Sequence, residues 1–117
     1  MGKFYFSCFF LTLFITTASI SQQSSKVSGY LNVNEGKLYY ETCGQGDETI
    51  LFIHDGLVHS EVWENQFLTF ADNFQVVRYD RRGYGRSPKP EKTYSNVEDL
   101  YQVFTSLKID KRIKITP

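Results

Sequence analysis

Two stretches of this sequence place residues that could take part in chemistry directly after β-rich runs of the chain. The first follows the apolar run 49–53 and begins with His54, Asp55 and Gly56. In an open α/β sheet, ligands bind beyond the carboxyl ends of the strands. Glycine at such a point lets backbone N–H groups approach a substrate oxygen closely. The alternative is that this loop is a plain connection between two elements.

The second stretch is residues 78–87, which read RYDRRGYGRS. Its arginines and Tyr84 could contact a nucleic acid, but Asp80 lies among them, and the 13 basic residues of the chain are balanced by 13 acidic ones. A phosphate-binding loop would need a third glycine leading into a helix, whereas Gly85 is followed by Arg-Ser-Pro. The sequence favours a tight turn that Asp80 and the arginines hold by buried ion pairs and hydrogen bonds.

The strands that position these loops are predicted from hydropathy. Alternation over residues 27–33 and the β-rich run 37–42 flank a turn, which predicts a hairpin. The runs 49–53 and 74–79 predict two further strands, the first buried on both faces, and a last strand begins at Ile113. Because predicted helices alternate with these strands, we expect an α/β sheet with right-handed crossovers.

Two short helices are predicted between the strands. Trp63, Phe67 and Phe70 recur at the spacing of a helical stripe. The second helix begins with Ser95 as N-cap and Glu98 three residues later, the pattern of a capping box. The stripe predicted to be buried in this second helix consists of Val97, Leu100, Tyr101, Phe104 and Leu107.

Residues 1–21 are predicted to be a cleaved secretory signal peptide. Lys3 precedes an apolar stretch, and small and polar residues then place the cleavage before Gln22. The stretch is short for a membrane span, although an uncleaved anchor is the alternative. The expected product is a secreted or periplasmic domain of residues 22–117. It retains Cys43 as its one thiol, predicted to be a buried structural residue.

Together the two loops resemble the α/β-hydrolase family. In that family a hairpin precedes a strand ending in His-Gly, a Trp-led helix follows, and the next strand runs into Asp-x-Arg-Gly-x-Gly-x-Ser. Residues 80–87 match every fixed position of this last pattern, and the resemblance covers about residues 29–112. It implies the N-terminal portion of an α/β-hydrolase sheet, truncated at residue 117. The residues that carry the resemblance are His54, Trp63, Asp80, Arg82, Gly83, Gly85 and Ser87.

The resemblance also implies roles for residues in both loops. The backbone N–H of Gly56 or Leu57 would be one donor of an oxyanion hole, acting with the N–H that follows the nucleophile. Asp80, Arg82 and Ser87 match residues that mainly hold their own loop in place. No cofactor is implied.

The nucleophile of the family lies in a Gly-x-Ser-x-Gly elbow, and residues 1–117 contain no such motif. The acid and the catalytic His of the family follow the nucleophile in chain order, so neither His54 nor His59 aligns with the catalytic base. These two histidines alone are also too few to form a metal site.

Two hypotheses follow. The first is a serine-type hydrolase of ester- or amide-like bonds, present as an N-terminal fragment that should not catalyse alone and that would bind a small-molecule substrate only when completed by the missing C-terminal half. The second is a non-catalytic truncated product or an interaction remnant. In either case we expect no nucleic-acid partner, and we expect self-association through an exposed sheet edge.

Overall fold

The structure, a computed structural model, describes Gly2, residues 25–109 and the backbone of residues 113–116. The predicted signal peptide, apart from Gly2, lies outside the described residues. The strands are β1 (Val27–Val33), β2 (Gly36–Cys43), β3 (Thr49–Ile53), β4 (Gln75–Tyr79) and β5 (Ile113–Thr116). The helices are α1 (Glu64–Phe70), which follows a 3₁₀ turn at Ser60–Trp63, and α2 (Asn96–Ser106).

The five described strands form one mixed sheet in the order β1-β2-β4-β3-β5. β1 and β2 are antiparallel, and the register Val33↔Gly36 leaves a two-residue turn between them, in which Glu35 has a φ of 53°. β2 is antiparallel to β4, whereas β3 runs parallel to both β4 and β5. The predicted hairpin, the two following strands and the start of the last strand are confirmed.

β3 is buried on both faces, as its continuous apolar sequence predicts. On one face Leu51 belongs to a cluster with Val103 of α2. On the other face Phe52 packs with Phe67 of α1, and the buried Cys43 belongs to this second cluster. Each face of the sheet is thus covered by one helix, which is the layered arrangement expected of an α/β protein.

The helix α2 begins where the sequence predicts, and its predicted buried stripe is confirmed in part, since Leu100, Phe104 and Leu107 pack against the core cluster. The Oγ of Ser95 accepts a hydrogen bond from the N–H of Glu98 at 3.3 Å, which confirms the N-cap. The prediction that Val97 and Tyr101 are buried is wrong, since they are 77% and 62% exposed. Asp99 and Val103 are buried instead.

The predicted stripe over Trp63, Phe67 and Phe70 is confirmed in part. Trp63 ends the 3₁₀ turn, and its ring centroid lies 5.5 Å from that of Phe52. Phe67 is fully buried in α1, whereas Phe70 lies at the end of the helix and remains 41% exposed.

Candidate functional site

The register of the two central strands brings the two loops singled out in the sequence side by side. β3 and β4 are parallel, and Ile53 of the first is the partner of Tyr79 of the second. His54 and Asp80 therefore leave the sheet at the same edge, the carboxyl edge at which open α/β sheets bind ligands. We call residues 54–58 the His loop and residues 80–90 the Asp loop.

His54 joins the two loops through both nitrogens of its imidazole. Nδ1 lies 2.6 Å from the carbonyl oxygen of Asp55, and Nε2 accepts a hydrogen bond from the N–H of Arg81 at 2.9 Å. Because Nε2 is an acceptor, the proton of the neutral ring is on Nδ1, which donates to Asp55. The ring is 2% exposed and contacts the Tyr84 ring edge-on. Burial lowers the pKa of His54, since the charged form loses its hydration.

The rest of the His loop is open to solvent. The Leu57 side chain is 93% exposed, and its backbone N–H donates to Oδ1 of Asp55 at 2.8 Å. Gly56 is also exposed, and a Cβ built on it would meet the Tyr84 hydroxyl at 3.5 Å. Of the two N–H groups expected near an oxyanion, that of Leu57 is already bonded within its own loop.

Asp80 is buried and holds the start of the Asp loop. Its Oδ1 accepts from the N–H of Ser60 at 2.8 Å, and its Oδ2 accepts from the N–H of Arg86 at 2.9 Å. Burial alone would raise the pKa of Asp80, but these donors stabilise the carboxylate more strongly and the pKa lies below its usual range. Both carboxylate oxygens thus accept hydrogen bonds from backbone amides, one in the 3₁₀ turn and one in the Asp loop.

Ser87 and two glycines complete the turn around Asp80. The Oγ of Ser87 donates to the carbonyl oxygen of Asp80 and accepts from the N–H of Tyr39 at 2.8 Å, which ties the loop to β2. Gly83 and Gly85 have φ values of +82° and +49°, in the left-handed region that favours glycine. A Cβ on Gly85 would lie 2.3 Å from Oδ2 of Asp80, so the turn has no space for one.

Arg82 anchors the Asp loop to two other elements. Its Nε and Nη2 donate to the two carboxylate oxygens of Asp99 in α2 at 2.8 and 2.7 Å. Nη2 also donates to the carbonyl oxygen of Asn34 in the hairpin turn at 2.6 Å. The pair is buried, so the predicted turn held by ion pairs and hydrogen bonds is what the structure shows.

Arg78, the first arginine of the second stretch, is also buried, and only its partners were not predicted. Arg78 in β4 is paired with Glu41 of β2 and Glu64 of α1, and its guanidinium carbon lies 4.4 Å from the ring centroid of Phe67. Nη1 also donates to the carbonyl oxygen of Ser60 at 3.3 Å. The available signal was Glu41 within the β-rich run 37–42 and Arg78 within the predicted strand 74–79, two charges of opposite sign.

No nucleophile–base pair is formed in the part of the chain that the structure describes. Ser60 is buried, Ser87 is bonded to backbone groups, and both nitrogens of His54 are engaged. Trp63 packs on Phe52, and its indole Nε1 meets no hydrogen-bond acceptor among the described residues. The site can therefore orient backbone donors, while it offers no attacking group.

The described residues also contain no group of three or more His, Cys, Asp or Glu side chains arranged to hold a metal ion. None of the helices within residues 25–109 is both long and apolar enough to span a bilayer.

Comparison with known proteins gives the family. The model of the alpha/beta hydrolase family matches residues 50–113. Epoxide hydrolase 1 of Caenorhabditis elegans is 34% identical over 94 residues, covering 75% of this chain and 23% of that protein. The bifunctional esterase/perhydrolase DCH of Acinetobacter calcoaceticus is 39% identical over 62 residues, covering 50% of this chain and 22% of that protein.

Solved structures agree. Est816, an N-acyl homoserine lactone degrading enzyme, superposes with a TM-score of 0.66 at 32% identity, covering 72% of this chain and 33% of that one. The epoxide hydrolase VrEH1 of Vigna radiata shares the fold with a TM-score of 0.68 at 24% identity, covering 81% of this chain and 32% of that one. The chain spans between a fifth and a third of the length of these relatives. It belongs to the α/β-hydrolase family, of whose fold it contains the N-terminal part.

Proposed function

We propose that this chain forms the oxyanion-hole side of an active site that hydrolyses ester- or amide-like bonds. The observation that carries the proposal is the register between β3 and β4, which sets an open, glycine-containing loop beside the Asp loop at the carboxyl edge of a parallel sheet. When a hydroxyl attacks a carbonyl carbon, the carbonyl oxygen becomes negative. Backbone N–H groups held in advance at that point stabilise the charge without reorganising.

The attacking hydroxyl has to come from outside residues 1–117, since no Gly-x-Ser-x-Gly elbow occurs within them. His54 is unsuited to act as the base because its Nε2 is occupied by the N–H of Arg81. Nucleophile and base act as a unit, so an oxyanion donor without them gives little acceleration. The 117-residue chain is therefore expected neither to turn over p-nitrophenyl acetate nor to be labelled by a fluorophosphonate.

A chimera tests the proposed role. Residues 25–116 replace the matching N-terminal part of Est816, whose remaining two thirds then complete the sheet. We expect this chimera to degrade N-acyl homoserine lactones. We expect the double substitution Gly56→Pro with Leu57→Pro, which removes both candidate N–H donors, to lower kcat by about 100-fold or more.

The control is the surface substitution Val97→Ala in the same chimera, which lies on α2 and should leave kcat unchanged. A folded chimera whose kcat is the same with and without the two prolines would overturn the proposal.

The competing function is a non-catalytic interaction remnant. It is favoured by the engagement of His54, Ser87 and Asp80 in bonds that hold the loops rather than in a reactive pair. The chimera separates the two functions, because a remnant that had lost its catalytic geometry would fold there without supporting turnover.

We further propose that the chain is exported and cleaved before Gln22, on the basis of the charged, apolar and small-residue segments of its first 21 residues. N-terminal sequencing of the protein recovered outside the cytoplasmic membrane tests this. A recovered chain that still begins at Met1 would contradict it.

A further inference from the structure

We propose that the chain binds a small monocarboxylate in a cavity between the start of β2 and the Asp loop, with Nη1 of Arg82 as the buried donor. The cavity has a volume of about 300 Å³, and its lining includes Gly36, Lys37, Arg82, Pro88, Lys89 and Pro90. We call it the hairpin cavity. The His loop contributes none of its lining residues, so this inference does not rest on the proposed function.

The donor is the part of the Arg82 guanidinium that its ion pair leaves unused. Of the five N–H groups, Nε and Nη2 use two on Asp99, and Nη2 uses a third on the carbonyl oxygen of Asn34. Among the described residues Nη1 meets no acceptor, although Arg82 is only 5% exposed. Since Nη1 is not among the fully enclosed polar atoms without a partner, it faces the open space of the cavity.

Gly36 leaves this donor accessible. A Cβ built on Gly36 would lie 2.9 Å from Nη1 and 3.3 Å from Cζ of Arg82, closer than side chains ordinarily approach. Gly36 and Arg82 line the same cavity, so the free space beside Nη1 lies on the Gly36 side. An oxygen atom of a ligand can therefore approach Nη1 past residue 36, where a side chain would stand in the way.

The charges of the lining favour a ligand with one negative charge. The charged lining residues that have an ion-pair partner are Arg82, paired with Asp99, and Glu35, paired with Lys92. The other three, Lys37, Lys89 and Glu91, form no ion pair within the described part of the chain. Two ammonium groups against one carboxylate leave a surplus of one positive charge, which a monocarboxylate neutralises.

A neighbouring cavity shows the opposite charge. Its volume is about 380 Å³, and it shares Glu35 and Arg82 with the hairpin cavity. It is also lined by the carboxylates of Glu98 and Asp99, which repel an anion. A carboxylate is thus directed to the side of Arg82 on which Nη1 lies.

The walls of the hairpin cavity suit a short hydrocarbon tail. Pro88 and Pro90 present rings without polar side-chain atoms, and the carbonyl oxygen of Pro88 accepts from the N–H of Gly83 at 2.9 Å, which fixes this wall. On the other side, the N–H of Asn34 donates to the side chain of Gln102 at 3.0 Å and holds the hairpin turn. A volume of about 300 Å³ is at the lower end of ligand pockets, so the ligand has only a few carbon atoms.

Propionate is the test ligand, and propionamide, which has the same shape without the charge, is its control. Each is titrated at constant ionic strength into the ¹⁵N-labelled full chain, and the amide resonances of Gly36, Lys37 and Lys89 are followed. We expect saturable shifts with propionate, half complete at about 1 mM, and none with propionamide. Equal responses to the two compounds, or no response to either, would overturn the proposal.

Two lysine substitutions form a matched pair. Lys89→Gln and Lys108→Gln each remove one positive charge from an exposed residue, but only Lys89 lines the cavity, whereas Lys108 follows the far end of α2. We expect Lys89→Gln to weaken propionate binding by about fivefold and Lys108→Gln to leave it unchanged. Equal weakening by both would show that only the overall charge matters and would overturn the site.

Gly36→Ala tests the donor itself. The added methyl group would stand beside Nη1, so the shifts caused by propionate should be lost while the amide resonances of β3 and β4 stay in place. A folded Gly36→Ala protein that binds propionate as tightly as the unaltered chain would overturn the role of Nη1. Should this variant not fold, the two lysine substitutions decide.

Inorganic phosphate tests the class of ligand. It carries more negative charge than the surplus of the lining neutralises, so we expect it to bind about tenfold more weakly than propionate. Phosphate that binds as tightly as propionate would overturn the assignment to a monocarboxylate. These titrations need no turnover, so their failure would leave the proposed function standing.

Discussion

At position 85 the chain has no space for a side chain. Gly85 has a positive φ, and a Cβ there would lie 2.3 Å from Oδ2 of Asp80, which it would displace from the N–H of Arg86. We expect Gly85→Ala to lower the free energy of unfolding by about 3 kcal/mol, through backbone strain and the loss of a buried charge-assisted hydrogen bond. Urea unfolding followed by Trp63 fluorescence measures it.

Gly83→Ala is the matched control. Gly83 also has a positive φ, but its nearest neighbour would be Cδ of Pro90 at 3.6 Å, an ordinary contact. Only the backbone strain remains, so the expected loss is about 1 kcal/mol. Equal losses for the two substitutions would show that Asp80 moves aside without cost.

The buried His54 makes stability depend on pH. Its folded pKa lies below the ordinary value of 6.5, so the unfolded chain binds the proton more readily as the pH falls below 6.5. We expect the contribution of His54 to the free energy of unfolding to be fully present above pH 6.5. Below that pH the contribution should decrease, by at most about 1.4 kcal/mol per pH unit. Urea titrations at a series of pH values give the slope.

The substitution His54→Asn should remove this slope, whereas His59→Asn, at an exposed position, should keep it. A second decrease at lower pH is expected from Asp80 and Glu41, since both folded pKa values are lowered. Their contribution is lost as these carboxylates become protonated, below 3.8 and 4.5. A stability that is level between pH 6.5 and 4.5 would contradict the coupling of His54 to the folded state.

At this scale the sequence predicted the Asp loop better than the ion pairs beyond it. The pattern at 80–87 is local, so its turn and its glycines follow from neighbouring residues. The pairing of Arg78 with Glu41 depends on β4 lying beside β2, a strand distant from it in the chain, as well as beside β3. The bond from Leu57 to Asp55 depends on one side-chain rotamer, which hydropathy does not encode.

Among the elements, α2 buries a charged residue beside its apolar face. The apolar pattern predicts that Val97 and Tyr101 face the core, yet the structure buries Asp99 and Val103. Asp99 accepts the bidentate bond from Arg82, and Val103 lies one turn further along, beside the predicted residues Leu100, Phe104 and Leu107 that pack against the core. Asp99 lies outside the predicted apolar stripe, so the hydropathy pattern did not indicate that it would be buried.

A pair of valine substitutions tests the orientation of α2. Val103 is fully buried, so Val103→Ala should lower the free energy of unfolding by about 2 kcal/mol, whereas Val97→Ala should change it by about 0.5 kcal/mol or less. Both lie on the same helix and remove the same atoms, so helix propensity cancels. Urea unfolding of the two proteins measures the difference, and the reverse order would restore the face predicted from hydropathy.

The strands were predictable because their patterns are strong, whereas their order was not. The alternation of apolar and polar residues before the turn identified the hairpin, and the continuous apolar run identified β3 as buried on both faces. That β4 lies between β2 and β3 results from tertiary packing, which no single segment specifies.

For the molecule as a whole, the edge of the sheet at β5 has no partner strand among the described residues. Unpaired backbone N–H and C=O groups on such an edge can pair with another chain. We expect residues 22–117 to self-associate, with a mass in sedimentation that rises with concentration above that of one chain. Ile115→Lys, which places a charge on the edge, should shift the protein towards monomer.

The control for this prediction is Val97→Lys, which places the same charge on an exposed apolar residue of α2 and should not reduce association. A protein that sediments as a monomer at all concentrations would contradict the prediction.

The order of the strands also has a consequence for how the chain is made. β3 pairs with β4 and β5, and both of these follow it in the sequence. On the ribosome, the most apolar strand therefore emerges before either neighbour exists. Until β4 has been synthesised, the nascent chain offers both sides of this strand to a chaperone or to another polypeptide, so the interval between residues 53 and 75 is when misassembly begins most easily.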